Sequence, residues 1–159
     1  MITHFDHVTV VVGDVEAAKR FFALLGFVAD KSVVIRGEPF ASYMGIADLE
    51  AEHHTLVLAG ATPRLEVQLL RLLQPSALPN PELATLRQRG FNHLCLATDD
   101  LDGDLARLGA AGVTPRNAVM VFHDRKLVFL DGPEGVVVEL AQWKGADPGA
   151  RASVPVGSA

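Results

Sequence analysis

From Phe5 to Val12 the chain is β-branched and apolar over the length of a strand, and Gly13-Asp14 then breaks it. Val15, Ala18, Phe21, Phe22 and Leu25 follow at helical spacing. Asp14 stands where an N-cap is wanted, and Gly26 where a residue of positive φ ends a helix. The same order then recurs, with His93 standing 86 residues after His7. At that offset His7-Val8-Thr9-Val10 falls on His93-Leu94-Cys95-Leu96, Asp14-Val15 on Asp100-Leu101, and Gly26 on Gly112. Leu101, Leu105 and Leu108 form the second helical stripe.

Later in each half the offset falls to 71 or 72, because the loops differ in length. Leu56-Val57-Leu58 with Gly60 falls on Val128-Phe129-Leu130 with Gly132, and Val67-Gln68-Leu69 on Val138-Glu139-Leu140. Each half therefore reads as a strand, a helix and about three strands, an α+β chain of two tandem βαβββ modules. The first module is expected over 1–74 and the second over 91–143. Between them, 75–90 holds Pro75, Pro79 and Pro81 and is read as a connector carrying a short helix from Glu82 to Arg89. Residues 144–159, rich in Gly, Ala, Ser and Pro, are read as a disordered tail.

Composition narrows the partners. The chain has 159 residues, of which 49% are hydrophobic and 21% charged, enough apolar surface for a real core. The formal charge is −5 and no basic run could track phosphates, so nucleic acid is not an expected partner. The apolar stretches fall far short of the ~20 residues of a membrane span. Cys95 is the only cysteine and no signal-peptide order opens the chain, so a cytoplasmic, disulfide-free protein is expected.

The repeat also makes a geometric claim. His7 and His93 open equivalent strands, and Gln68 and Glu139 sit in equivalent closing strands, so two-fold pseudosymmetry would bring the four together. Two imidazoles, a carboxylate and an amide oxygen suit a divalent metal that takes mixed nitrogen and oxygen ligands. A single histidine at a strand start is ordinarily a structural or surface residue, but Glu139 lies inside Val136-Val137-Val138-Glu139-Leu140-Ala141. Burying a carboxylate there is costly unless it is paired or metal-bound; the plain alternative is an edge strand pointing it at water.

Glu66 competes with Gln68, since residues two apart on a strand face the same way. The repeat aligns Gln68 with Glu139, which leaves Glu66 as a supporting partner, a possible base or a solvated strand-end charge. Cys95 is expected to face inward as a small buried apolar side chain. His53 and His54, read as preceding a strand from Thr55 to Leu58, and His123, in a loop before the Lys126 strand, are expected at the surface or rim. Arg125-Lys126 could meet an anionic substrate group, with a solvated charge pair as the default.

Three stretches resemble the vicinal oxygen chelate superfamily of glyoxalase I, methylmalonyl-CoA epimerase, extradiol dioxygenases and the fosfomycin and bleomycin resistance proteins. They are Phe5-Asp6-His7-Val8-Thr9-Val10, Phe91-Asn92-His93 with the strand that follows, and Phe129-Leu130-Asp131-Gly132-Pro133-Glu134-Gly135 leading into Val136 to Leu140. The resemblance implies a cupped mixed sheet around a metal site, with His7, Gln68, His93 and Glu139 as ligands of Zn, Ni, Co, Mn or Fe(II). It implies an isomerase or lyase in which the metal chelates two neighbouring oxygens of a small-molecule substrate and stabilises an enolate-like intermediate. A carboxylate, Glu139 or Glu66, would move the carbon-bound proton. The epimerase resemblance asks for a further Glu ahead of the third strand, near Glu50 or Glu52. The alternatives are an Fe(II) extradiol-type dioxygenase built on His7, His93 and Glu139, and a non-catalytic binding protein for a small molecule or drug. Family habit adds a homodimer.

Overall fold

The computed structural model describes residues 1–145. It divides into two compact units, Met1–Pro81 with Gly132–Gly135, and Glu82–Asp131 with the described residues from Val136 onward. From residue 146 on, the expected tail lies outside the described residues.

Unit 1 runs β1 (His7–Val11), α1 (Val15–Leu24), β2 (Phe27–Arg36), α2 (Phe40–Met44), β3 (Glu50–Leu58) and β4 (Glu66–Gln74). Its four strands form one sheet in the order β1-β4-β3-β2, with β1 parallel to β4 and the other pairs antiparallel. The Asp14 carboxylate caps α1 by accepting from the Ala17 amide at 2.8 Å, and Gly26 ends it with φ +89°. Val15, Ala18 and Phe22 are the buried stripe of that helix, which packs against β2 and β4.

Alternation along β4 sorts the two faces. Val67 and Leu69 are fully buried on one, while Glu66, Gln68 and Leu70 share the other. That second face is closed at one end, where Leu70 joins Ile35, Leu49 and Ala51 under Ala41 and Ile46. Its other end, from Glu66 to Gln68, stays polar.

Unit 2 repeats the plan with β5 (Leu94–Thr98), α3 (Leu101–Ala110), β6 (Met120–Phe122), β7 (Arg125–Asp131) and β8 (Val137–Trp143). Its sheet order is β5-β8-β7-β6, again with the first pair parallel. Asp100 caps α3 through the Gly103 amide at 3.0 Å, and Gly112 follows it with φ +83°. Leu101 and Leu108 are wholly buried. The expected pair of mixed-sheet βαβββ modules is thus present, and α2 is an addition to the first.

Two expectations about elements are corrected. Residues from Glu82 to Arg89 form turns rather than a helix, held by i to i+3 bonds from Thr85 to Glu82 and from Gln88 to Thr85. So short a segment, entered from Pro81, cannot repay helix nucleation without an apolar face to bury. The third strand begins at Glu50, not Thr55. Its polar start is held because β2 and β4 pair with it on both sides. No helix among the described residues is long and apolar enough to cross a membrane.

Candidate functional site

The repeat survives in the strand register. Thr9 stands opposite Gln68 in the parallel pair of unit 1, and Cys95 opposite Glu139 in that of unit 2. His7 and His93 each lie two residues earlier, so each histidine is the diagonal neighbour of its predicted partner on the same face.

In unit 2 the diagonal closes. Nε2 of His93 lies 3.3 Å from Oε2 of Glu139, whose side chain is 14% exposed. The plain edge-strand reading of Glu139 is overturned, because β8 is paired on both sides, by β5 and β7. Hydrogen bonding fixes the imidazole. Asn92 donates its Nδ2 to the Leu86 carbonyl at 2.6 Å, which turns its Oδ1 to Nδ1 of His93 at 2.8 Å. An amide oxygen only accepts, so the ring proton sits on Nδ1 and the lone pair of Nε2 faces a carboxylate oxygen. Two electron-rich atoms at this distance call for a cation, either a proton that makes the imidazolium or a metal ion. Two ligands at roughly 2.1 Å from one ion stand about 3.0–3.4 Å apart, which the pair matches. Phe129 packs edge-on against the ring at 5.2 Å between centroids.

Unit 1 shows the same support for its histidine. Nδ1 of His7 lies 2.6 Å from Oδ1 of Asp6, which leaves Nε2 as the available lone pair. That bond, ahead of every other cause, draws the Asp6 carboxyl below the usual range. A carboxylate or amide behind the imidazole is the ordinary way a ligating histidine is oriented. Asp6 and Asn92 correspond at the 86-residue offset, so this pairing was visible in the sequence, though its role was missed.

No hydrogen bond joins Gln68 to the His7 ring. The Gln68 Nε2 donates to Oε2 of Glu66 at 3.0 Å, while its Oε1 accepts from Nε2 of His53 at 3.0 Å and from Thr9 at 3.5 Å. Glu66 is therefore no solvated charge: its other oxygen accepts from Nε of Arg64 at 2.7 Å, and Arg64 reaches on to Asp30 at 2.6 Å. The Gln68 and Arg64 bonds hold the Glu66 carboxyl below its usual range, and Glu66 and Asp30 push the Arg64 guanidinium up. A lowered carboxyl contributes stability above the ordinary carboxylate range and loses it as pH falls through the folded value.

Other sequence expectations need correction. His53 and His54 are strand residues, and His54 is buried, with Nδ1 2.9 Å from the Ser32 hydroxyl. Cys95 shares the face of Glu139 but is exposed. Arg125 stacks over Trp143 at 4.5 Å and Lys126 pairs with Asp102 at 2.7 Å, so neither is an uncommitted cation. Glu50 and Glu52 lie in β3 and face Arg36 and Arg71 at 3.4 and 3.5 Å. Among the described residues, no three His, Cys, Asp or Glu side chains cluster closely enough to hold an ion.

The sequence matches the model of the Glyoxalase/Bleomycin resistance protein/Dioxygenase superfamily over residues 4–140. The chain belongs to that superfamily. No curated protein matches it by sequence. A glyoxalase family protein from Bacillus cereus has the same fold, with TM-score 0.81 and 22% identity over 91% of this chain and 97% of that one. The antibiotic-binding protein TnmS3 from a Streptomyces species aligns at TM-score 0.59 and 24% identity, covering 90% of this chain and 98% of that one. The fosfomycin resistance protein FosX from Listeria monocytogenes, solved with Mn(II) and sulfate, aligns at 0.58 and 15% identity over 92% of this chain and 95% of that one. Glyoxalase-fold neighbours thus include a metal-bound resistance protein and a binding protein.

Proposed function

We propose that this superfamily member is a metal-dependent isomerase or lyase of the glyoxalase type, acting on a small molecule with two neighbouring oxygens. The ligands of the divalent ion, Zn, Ni, Co, Mn or Fe(II), are taken from the family resemblance as His7, Gln68, His93 and Glu139, of which His93 and Glu139 stand together in one unit. The observation that carries this reading is the His93–Glu139 pair, whose Nε2 and carboxylate oxygen stand 3.3 Å apart, a separation that a divalent ion bridges as readily as a proton does. Such an ion, once bound, would supply Lewis-acid polarisation of the substrate oxygens. The two imidazoles and the amide are neutral donors and Glu139 is the single anion, so the set leaves a divalent ion with one net positive charge. In this reading Glu139 takes and returns the carbon-bound proton. Glu66 is committed through both oxygens to Arg64 and Gln68 and orients rather than reacts.

The test is a panel of 2-oxoaldehyde hemithioacetals, branched acyl-CoA thioesters and catechols, offered to protein loaded with each ion in deuterated water. Exchange of a substrate C–H for deuterium without oxygen consumption is expected. Ring opening with stoichiometric oxygen uptake would replace the proposal with the dioxygenase, and ligand binding without turnover of any class would replace it with the binding protein.

A further inference from the structure

Strand register lays out one face of the unit 2 sheet. Phe122, Arg125 and Trp143 stand side by side on β6, β7 and β8, and Met120, Leu127 and Ala141 form the next row on that face. The opposite face is the one under α3, where Lys126 reaches Asp102 of that helix at 2.7 Å. Glu139 lies on the Arg125 face two rows further on, opposite Phe129. Four residues of β7 separate Phe129 from Arg125, about 13 Å of strand, so the Arg125 row is a place apart from the His93–Glu139 pair. The Arg125 guanidinium lies over the Trp143 ring at 4.5 Å and over the Phe122 ring at 5.9 Å, with one aromatic strand neighbour on either side. Its Nε is closed off from solvent and has no hydrogen-bond partner among the described residues.

Stacking commits the flat faces of a guanidinium and leaves its N–H groups, which lie in the plane, to other partners. A guanidinium is always charged, and a buried donor of such a group without an acceptor costs free energy that a bound anion would recover. We infer that this row is a binding site for a small-molecule carboxylate with an apolar body, the carboxylate meeting the N–H edge of Arg125 and the body lying on Phe122 and Met120. Both of those side chains are about half exposed, an apolar surface beside the cation. The single charge of Arg125 matches a monoanion. A phosphate monoester, nearly a dianion at neutral pH, calls for a second cation, and the neighbouring Lys126 is paired with Asp102 on the other face. The site lies wholly within unit 2 and needs no metal ion, so it does not depend on the function proposed above.

Trp143 is the only tryptophan of the chain, so its emission reports on this row in the full-length, metal-free protein. The probes are phenylbutyrate, its uncharged amide and phenyl phosphate. Phenylbutyrate should change the emission saturably and bind about tenfold or more tightly than the amide, the worth of a charge-assisted hydrogen bond. Arg125→Met should abolish that preference while keeping affinity for the amide within about threefold, and Arg125→Lys, which keeps the charge without the fork, should retain part of it. A merely structural arginine would leave the acid-to-amide ratio unchanged. Equal binding of acid and amide by the wild-type protein, or saturable binding of neither, overturns the site without recourse to any variant. Tighter binding of phenyl phosphate than of phenylbutyrate overturns the carboxylate assignment, and an undiminished preference in Arg125→Met overturns the role of Arg125.

Discussion

Replacing Glu139 by glutamine should lower catalysed C–H exchange by about 10²–10⁴-fold while leaving the melting temperature close to that of the parent. The size follows from the loss of a positioned base. The small structural cost follows from the environment: the amide is isosteric, and the side chain keeps 14% of its surface in water. Glutamine also removes the only anion of the proposed ligand set, so affinity for the ion should fall as well. His93→Gln serves as the companion variant, because it removes one ligand and keeps the carboxylate. If proton exchange in Glu139→Gln stays within about threefold of wild type, the base lies elsewhere, and Glu139 is at most a ligand.

The largest loss of stability should come from Phe22→Ala. Phe22 is wholly buried, packed edge-on against Phe27 at 5.7 Å and neighbouring Phe21 at 5.4 Å. It is the largest of the three side chains that α1 buries, beside Val15 and Ala18. Truncating a buried phenylalanine costs about 3–5 kcal/mol, a large share of the roughly 5–15 kcal/mol that holds a domain folded. Urea titration should show that loss as a shift in midpoint. A shift worth less than about 1 kcal/mol would mean that α1 does not seal the sheet face of Val67 and Leu69.

The parts of the fold legible in the sequence were those written twice. Asp14 and Asp100 cap, Gly26 and Gly112 stop, and each apolar stripe between them needs only local chemistry to be read. The diagonal of His93 and Glu139 was legible for the same reason, since the offset that aligns the histidines also brings their strand partners into register. What depends on lateral pairing was not legible. The polar start of β3, Glu50 to His54, carries no apolar alternation and is a strand only because neighbours flank it on both sides. His53 consequently reads as a rim residue until β4 is placed beside it and Gln68 accepts its proton. Arg64 and Asp30 stand 34 residues apart, and no spacing rule links a turn arginine to a bulged aspartate. Cys95 failed for the opposite reason: period two placed it on the right face, but burial depends on what covers that face.

Metal content is the most direct test of the central claim. The full-length protein, stripped of metal and titrated by calorimetry with Mn, Co, Ni, Zn and Fe(II) salts, should take up about one ion per chain. Its melting temperature should rise with the tightest of them, and His93→Gln should lose most of that binding. Absence of uptake for all five ions, with no thermal gain, would contradict the account.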